Sequence, residues 1–318
     1  MIQKNKLIFE NKSKLLITVI SFLLIALPQF VKADTAIPVK QINHLFDITG
    51  DKANLLSLPS DVSVDQNGNI YVVDSGNHRI AVFDDSGEFI SNFSKKGTNQ
   101  GELTNPVGLD LDENNIYVAD KDNHRIQVFN KDGTFKKNII LRQGSKRIRP
   151  VDIAVNKKLK LLYISGNNNH KLMAYDYTGK LLHQWGGEGT NRGEFRYPAT
   201  ISLYKNNIYI VDVLNSRVQV FNAKGELEAI VGEWGVLPGQ LFRPKGVALD
   251  NKGNIYVSDS YLGLIQVFSS DTRFSHVLGN NGKPYKLTSP AGITIDKQNR
   301  LYVCEMLKNK VSVFSLEP

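Results

Sequence analysis

Six tyrosines, each inside an apolar-Tyr-apolar triplet, recur at Tyr71, Tyr117, Tyr163, Tyr209, Tyr256 and Tyr302, with spacings of 46, 46, 46, 47 and 46 residues. A proline stands eleven to thirteen residues before each of them: Pro59, Pro106, Pro150, Pro198, Pro244 and Pro290. An aromatic ring follows each tyrosine twelve residues later, at Phe83, Phe129, Tyr175, Phe221, Phe268 and Phe314. Three rows in phase make a repeat, and a repeat limits the fold to architectures that copy one unit.

The unit reads as four short strands. In the first copy Val62 and Val64 alternate along a strand Asp61–Val64, and Asp65-Gln66-Asn67-Gly68-Asn69 makes a hairpin turn. Strands Ile70–Val73 and Arg79–Phe83 follow, then the turn Asp84-Asp85-Ser86-Gly87 and a last strand Glu88–Phe93. Beyond the N-terminal segment nothing has sustained helical periodicity. Six four-stranded antiparallel sheets are expected to pack as blades around an axis, an all-β, six-bladed β-propeller. The sixth copy stops at Phe314 with no fourth strand, while Gln41–Ile48 is a strand without a blade. That segment is predicted to complete blade six, pairing an otherwise bare edge.

Residues 1–33 read as an export signal. Lys4, Lys6, Lys12 and Lys14 open it, Leu15–Leu27 is an apolar run, and Val31-Lys32-Ala33 places small residues where signal peptidase cuts. The domain reading is residues 1–33 signal, 34–40 linker and 41–318 propeller. The expected location is periplasmic or secreted. The alternative is an uncleaved inner-membrane tether through residues 15–31, although the run is shorter than the about 20 residues of a spanning helix. Removing residues 1–33 takes five of the 39 lysines and arginines and one of the 31 acids, leaving +4 instead of +8. That and export argue against a nucleic-acid partner. The one cysteine, Cys304, allows no internal disulfide and is expected to be buried and inert.

The repeat resembles the NHL family. The residues that carry the likeness are Asn77-His78-Arg79-Ile80, Asn123-His124-Arg125-Ile126 and Asn169-His170-Lys171-Leu172, with the glycine-rich linkers Gly97…Gly101-Glu102-Leu103, Gly189…Gly193-Glu194-Phe195 and Gly235…Gly239-Gln240-Leu241. The resemblance covers about residues 40–318. It implies a propeller whose relatives serve as protein- and RNA-binding modules, as extracellular sensors, and, in an amidating lyase, as a metal-dependent enzyme. No clustered ligand set is legible to match that lyase, so no metal, cofactor or catalytic residue is expected.

The candidate residues are where the repeat breaks. Asp74 with Arg79, Asp120 with Arg125, Asp212 with Arg217, and Glu305 with Lys310 read as one ion pair per blade rather than a ring of functional carboxylates. Blade three has Gly166 with Lys171, a base without its acid. Blade five has Asp259 with Leu264, an acid without its base. A buried charge without a partner is costly, so Lys171 and Asp259, with the neighbours Ser260 and Tyr261, are candidate contacts. His78, His124 and His170 fill one slot in three blades and read as repeat scaffold. The turn at Asp65 opens like a calcium loop but lacks its terminal glutamate. Nine basic residues lie between Lys136 and Lys160, among them Arg147, Arg149, Lys157 and Lys158, and mark a candidate surface for an anionic partner.

The functional expectation is an exported, non-catalytic binding or sensor module that uses its loop face. The partner would be a protein or an anionic envelope polymer. The alternative is a propeller lyase or hydrolase with its site at the axial mouth, where Asp61, Asp110 and Asp152 are the polar residues of the innermost strands.

Overall fold

The computed structural model describes residues 37–317; the signal expected at 1–33 lies outside them. The chain forms six antiparallel sheets of four strands, joined in sequence order. Blade one runs Pro59–Val64, Ile70–Asp74, Arg79–Phe83 and Phe89–Phe93, from the axis outward. The other five innermost strands are Pro106–Leu111, Pro150–Asn156, Pro198–Tyr204, Pro244–Leu249 and Pro290–Ile295. Neighbouring innermost strands contact one another all the way round, including the last with the first. Apolar side chains form six clusters, one between each pair of adjacent blades; Ile70, Ala81, Tyr302 and Val313, for example, join blades one and six. Among the described residues there is no α-helix, only four single-turn 3-10 segments between second and third strands.

The rows that define the repeat each have a mechanical role. Every proline opens an innermost strand and lies opposite the last residue of the second strand: Pro59 faces Asp74, Pro150 faces Gly166 and Pro290 faces Glu305. Four of the tyrosines donate their hydroxyl to the turn aspartate that precedes them. Tyr117 reaches Asp112 at 2.7 Å, Tyr302 reaches Asp296 at 2.9 Å, and Tyr71 and Tyr256 reach Asp65 and Asp250 at 3.3 Å. Those aspartates also accept backbone N–H groups within their own turns, as Asp65 does from Asn67 and Asn69. The turn at Asp65 is thus a hairpin turn. Blade three has Asn156 there, and the buried Tyr163 hydroxyl has no partner.

The ring closes as expected. Asn43–Ile48 pairs antiparallel with Lys310–Ser315, with His44 opposite Phe314 and Ile48 opposite Val311. Lys310 seals the joint, bonding Asp47 at 2.8 Å and Glu305 at 3.2 Å. The preceding residues are also paired. Val39–Gln41 lies parallel to Val277–Gly279 as a fifth strand on blade five, so residues read as linker belong to a sheet. The N-terminal segment therefore binds two adjacent blades.

Candidate interaction surface on the linker face

The loops between second and third strands and the linkers between blades share one face, and the repeat's polar residues hold them together. Asp74 accepts the Ser57 N–H at 2.6 Å, the Asn77 side-chain amide at 2.8 Å and Arg79 Nε at 2.6 Å. Asp120 does the same with Thr104, Asn123 and Arg125, and Asp212 with Arg196, Asn215 and Arg217. The ion pairs are buried clamps between a blade and the linker that enters it. The histidine slot is scaffold as well. His78, His124 and His170 adopt left-handed backbone with φ of 57°, 59° and 53°, and His78 Nδ1 accepts the Asn105 N–H at 3.0 Å. Among the described residues no three acidic, histidine or cysteine side chains are grouped to hold a metal ion.

Asp259 is fully buried and has no cation, yet its lone pairs are occupied. Oδ2 accepts N–H groups from Phe242 at 2.6 Å and Arg243 at 3.1 Å. Oδ1 accepts those of Tyr261 at 3.1 Å and Leu262 at 3.0 Å. The Phe242 N–H matches the linker N–H that Asp74 accepts, and three further backbone donors stand where the other blades use arginine and asparagine, so Asp259 has no free acceptor for a ligand and acts on the surface through the residues it positions. Ser260 is half-buried and gives its hydroxyl to Arg243 O at 3.1 Å. Tyr261 is 66% exposed and lies over Phe242, ring centroids 4.2 Å apart.

Those residues belong to an apolar group that the sequence reading missed. Trp234 is 71% exposed, with Val236 and Leu237 beside it at 61% and 63%. Trp234 packs against Phe242 at 6.2 Å, giving a row Trp234–Phe242–Tyr261. The linker that carries the row is fixed. Leu241 is fully buried, its N–H bonds Glu233 O at 2.7 Å, and Gly235 bonds Leu241 O at 3.0 Å. Tyr197, Leu214 and Leu307 add further exposed apolar side chains on the same face. The available signal was Glu233-Trp234-Gly235-Val236-Leu237: three large apolar residues inside a linker that in other blades carries Lys96-Gly97-Thr98 or Glu188-Gly189-Thr190.

The basic run does not form one patch. Arg142, Lys146, Arg147 and Arg149 lie on the linker face, the first three in a small hairpin of Arg142–Gln143 with Lys146–Arg147. Lys157, Lys158 and Lys160 lie at the opposite face, beyond the seven-residue strand Pro150–Asn156, a separation of about 20 Å at ~3.3 Å per residue. Arg149 pairs with Asp122, and Lys157 with Glu113 at 3.5 Å. Arg147 and Lys158 are exposed and Lys171 is half-buried; none of the three has an acidic partner among the described residues. At Gly166, where the other blades carry the acid, the Asn169 side chain packs over the glycine and donates to Met173 Sδ at 3.5 Å.

The axial residues are far from passive electrostatically. Burial pushes Asp61 up to about 7 and Asp110 up to about 6, and lifts Asp152 well above the usual carboxylate range, with Asp61 adding to the effect.

The NHL repeat pattern matches residues 56–83, 103–129 and 243–268, which lie in blades one, two and five. A 59-residue stretch, 19% of the chain, is 41% identical to the B-box type zinc finger protein ncl-1 of Caenorhabditis elegans; it spans 7% of that protein's length. Among solved structures, a streptogramin B lyase aligns over 86% of this chain and 98% of its own, with TM-score 0.63 and 16% identity. A virginiamycin B lyase from Staphylococcus aureus aligns over 80% and 79%, with TM-score 0.57 and 15% identity. A protein of unknown function from Bacteroides thetaiotaomicron aligns over 87% and 74%, with TM-score 0.65 and 17% identity. At these identities the likeness is one of fold.

Proposed function

Because the chain is a six-bladed β-propeller carrying NHL repeats, we propose that it is an exported protein-binding module whose contact surface is the linker face. The observation that carries this reading is the Trp234–Phe242–Tyr261 row. Rigid aromatic side chains, held by a buried scaffold and open to solvent, are the residue types that dominate protein interfaces. They lose little conformational freedom on binding, and Asp259 and the buried Leu241 fix their backbone in advance. Arg196, Arg243 and Lys245 lie on the same face and favour an acidic rim on the partner. The export half of the proposal rests on residues 1–33; cell fractionation with N-terminal sequencing of the mature protein tests it, and an unprocessed cytoplasmic protein would overturn it.

The binding half is tested by pull-down from an envelope extract with the wild type and with Trp234→Ala/Tyr261→Ala. Both side chains are exposed, so the variant is expected to melt like the wild type while its specific partner is lost. Retention of the partner by the variant refutes the surface. Reversing Arg147 and Arg149 asks separately whether the basic hairpin takes part.

A second reading, a lyase, is favoured by one observation: the raised axial carboxyls Asp61 and Asp110 have the proton affinity of general bases working near neutrality. Incubation with quinupristin and mass spectrometry tests it for the substrate named with one of the similar structures. An unchanged substrate removes that version.

A further inference from the structure

Three linkers carry a parallel bridge: Lys96 with Leu103, Glu188 with Phe195 and Trp234 with Leu241. The linker from blade five to blade six is a hairpin instead, with Gly279 opposite Pro284 and Asn280 opposite Lys283. Asn281 and Gly282 stand between them, both with positive φ, 50° and 70°. That is the Asn-Gly turn that closes a two-residue hairpin. The N-terminal strand clamps it. Gln41 donates its side-chain amide to Asn280 Oδ1 at 2.8 Å and accepts the Asn281 N–H at 3.0 Å. Beyond the turn, Tyr285 gives its N–H to Leu278 O at 3.0 Å and sets its ring edge-on to Phe314, centroids 4.9 Å apart.

Between this hairpin and the loop after the second strand of blade six lies a cavity of 260 Å³. Four lysines line it, Lys283, Lys286, Lys308 and Lys310, with one acid, Glu305. Glu305 is buried and already committed. It accepts the Thr288 N–H at 2.6 Å and the Ser312 hydroxyl at 2.8 Å, and Lys310 lies 3.2 Å away, shared with Asp47. Lys308 stands where Asn77, Asn123 and Asn215 bond the clamp carboxylates of their blades. It is exposed and keeps 3.8 Å from Glu305, so a scaffold asparagine has been exchanged for a cation that does not take over its bond. Lys283 and Lys286 are exposed and have no acidic partner among the described residues. Lys286 makes one long bond, 3.4 Å, to Leu262 O. The notch thus holds more positive than negative charge, and a concave site lined by one sign concentrates the other. Because Gln41 occupies the Asn280 oxygen, Asn280 keeps its NH2 group as a further donor.

We propose that this notch binds a phosphomonoester, with the phosphate held by Lys283, Lys286 and Lys308 and by the Asn280 amide. A phosphomonoester brings about −1.5 to −2 of charge at neutral pH and three strong acceptor oxygens, where a carboxylate brings one charge. Lysines meet it as point charges on long stems, which need no fixed fork geometry. The volume lies just under the roughly 300–1,000 Å³ of ligand pockets, so the phosphate is carried on a few carbon atoms. Free glycerol 3-phosphate and the headgroup of phosphatidic acid share that chemistry.

The test is isothermal titration of the protein with glycerol 3-phosphate and with glycerol, beside flotation with phosphatidylcholine vesicles that contain or lack phosphatidic acid. Saturable binding of glycerol 3-phosphate without flotation assigns the free ligand; flotation that needs phosphatidic acid and is competed by glycerol 3-phosphate assigns the headgroup. Lys283→Gln/Lys286→Gln removes two exposed cations and is expected to melt like the wild type and to weaken either response about tenfold or more. Lys308→Asn restores the residue of the other blades; it is expected to weaken binding several-fold with no loss of Tm, and it serves should the double variant fail to fold. No saturable response to glycerol 3-phosphate and no dependence on phosphatidic acid, or a response that the lysine variants leave unchanged, overturns the proposal. Trp234→Ala/Tyr261→Ala is expected to bind glycerol 3-phosphate like the wild type, so the notch and the aromatic row stand or fall separately.

Discussion

Replacing Asp259 by asparagine separates a scaffold role from a contact role at one position. The carboxylate takes two backbone N–H groups on each oxygen: Phe242 and Arg243 on Oδ2, Tyr261 and Leu262 on Oδ1. Asparagine keeps one oxygen and turns an NH2 group toward the other two donors. Two partly buried N–H groups then lose an acceptor, at no more than about 1–3 kcal/mol each, or roughly 2–6 kcal/mol together. For a domain of this size that lowers Tm on the order of 10 °C. Thermal unfolding followed by circular dichroism reads the loss. Near-UV dichroism reports whether Tyr261 leaves Phe242, because both backbones hang on the same carboxylate. Partner binding should fall only as far as the row is disordered, and Tyr261→Ala, exposed and off the scaffold, should leave Tm unchanged. An Asp259→Asn protein that melts within about 1 °C of the wild type would refute the reasoning and return Asp259 to the role of a contact residue.

Three further outcomes follow from the same structure. A chain beginning at Thr49 lacks the closing strand and loses Ile42 and Ile48, 2% and 0% exposed, at about 1.5–3 kcal/mol per side chain before the ladder bonds are counted; urea unfolding should show a lower midpoint and an exposed, self-associating blade six. Asp61 and Asp110 titrate in the folded protein at about 7 and about 6 against 3.8 for an ordinary aspartate, so between pH 4 and 7 the folded state binds more protons than the unfolded one and their contribution to stability falls as pH rises; Tm measured at pH 5 and pH 8 should differ less in Asp61→Asn than in the wild type. Tyr117→Phe loses a bond to Asp112 and should cost about 0.5–1.5 kcal/mol, more if Asp112 stays short of a donor, whereas Tyr163→Phe removes a buried hydroxyl without a partner and should be neutral or stabilising in chemical denaturation.

Much of the fold is legible because the repeat prints it six times. Proline, tyrosine and aromatic rows fall at fixed points of each sheet, so strand Arg79–Phe83 is located to the residue, and the closing strand was placed within two residues of its observed start at Asn43. Val39–Gln41 escaped because three residues have no periodicity and their pairing is parallel to a strand about 240 residues away. The surfaces were harder to read. Lys136–Lys160 is dense in sequence, but a strand that crosses the blade from face to face divides it. Asp259 looked unpaired because the partners that satisfy it are backbone N–H groups, which every residue but proline carries and no sequence motif marks. Tyr261 is marked in the sequence by its neighbour Asp259, whereas Trp234 stands in a linker whose glycines are the visible pattern. The axial carboxyls were recognised as polar residues on inner strands. Their crowding depends on glycines of neighbouring blades: a Cβ on Gly108 would meet Asp152 Oδ1 at 2.2 Å and one on Gly292 would meet Asp61 Oδ1 at 2.3 Å, the second a contact that exists only once blade six meets blade one.

The joint at Asn43–Ile48 also sets an order of events. Asp47 and Lys310 are 263 residues apart, so a strand from the start of the propeller pairs with one from its far end. Five blades can form their four-stranded sheets from local hairpins, but blade six needs both ends of the propeller, and until they meet an apolar edge stands open. Closing so long a loop late is entropically expensive and slow. The assembled ring is correspondingly hard to open, since unzipping from either end first breaks a sheet that holds both.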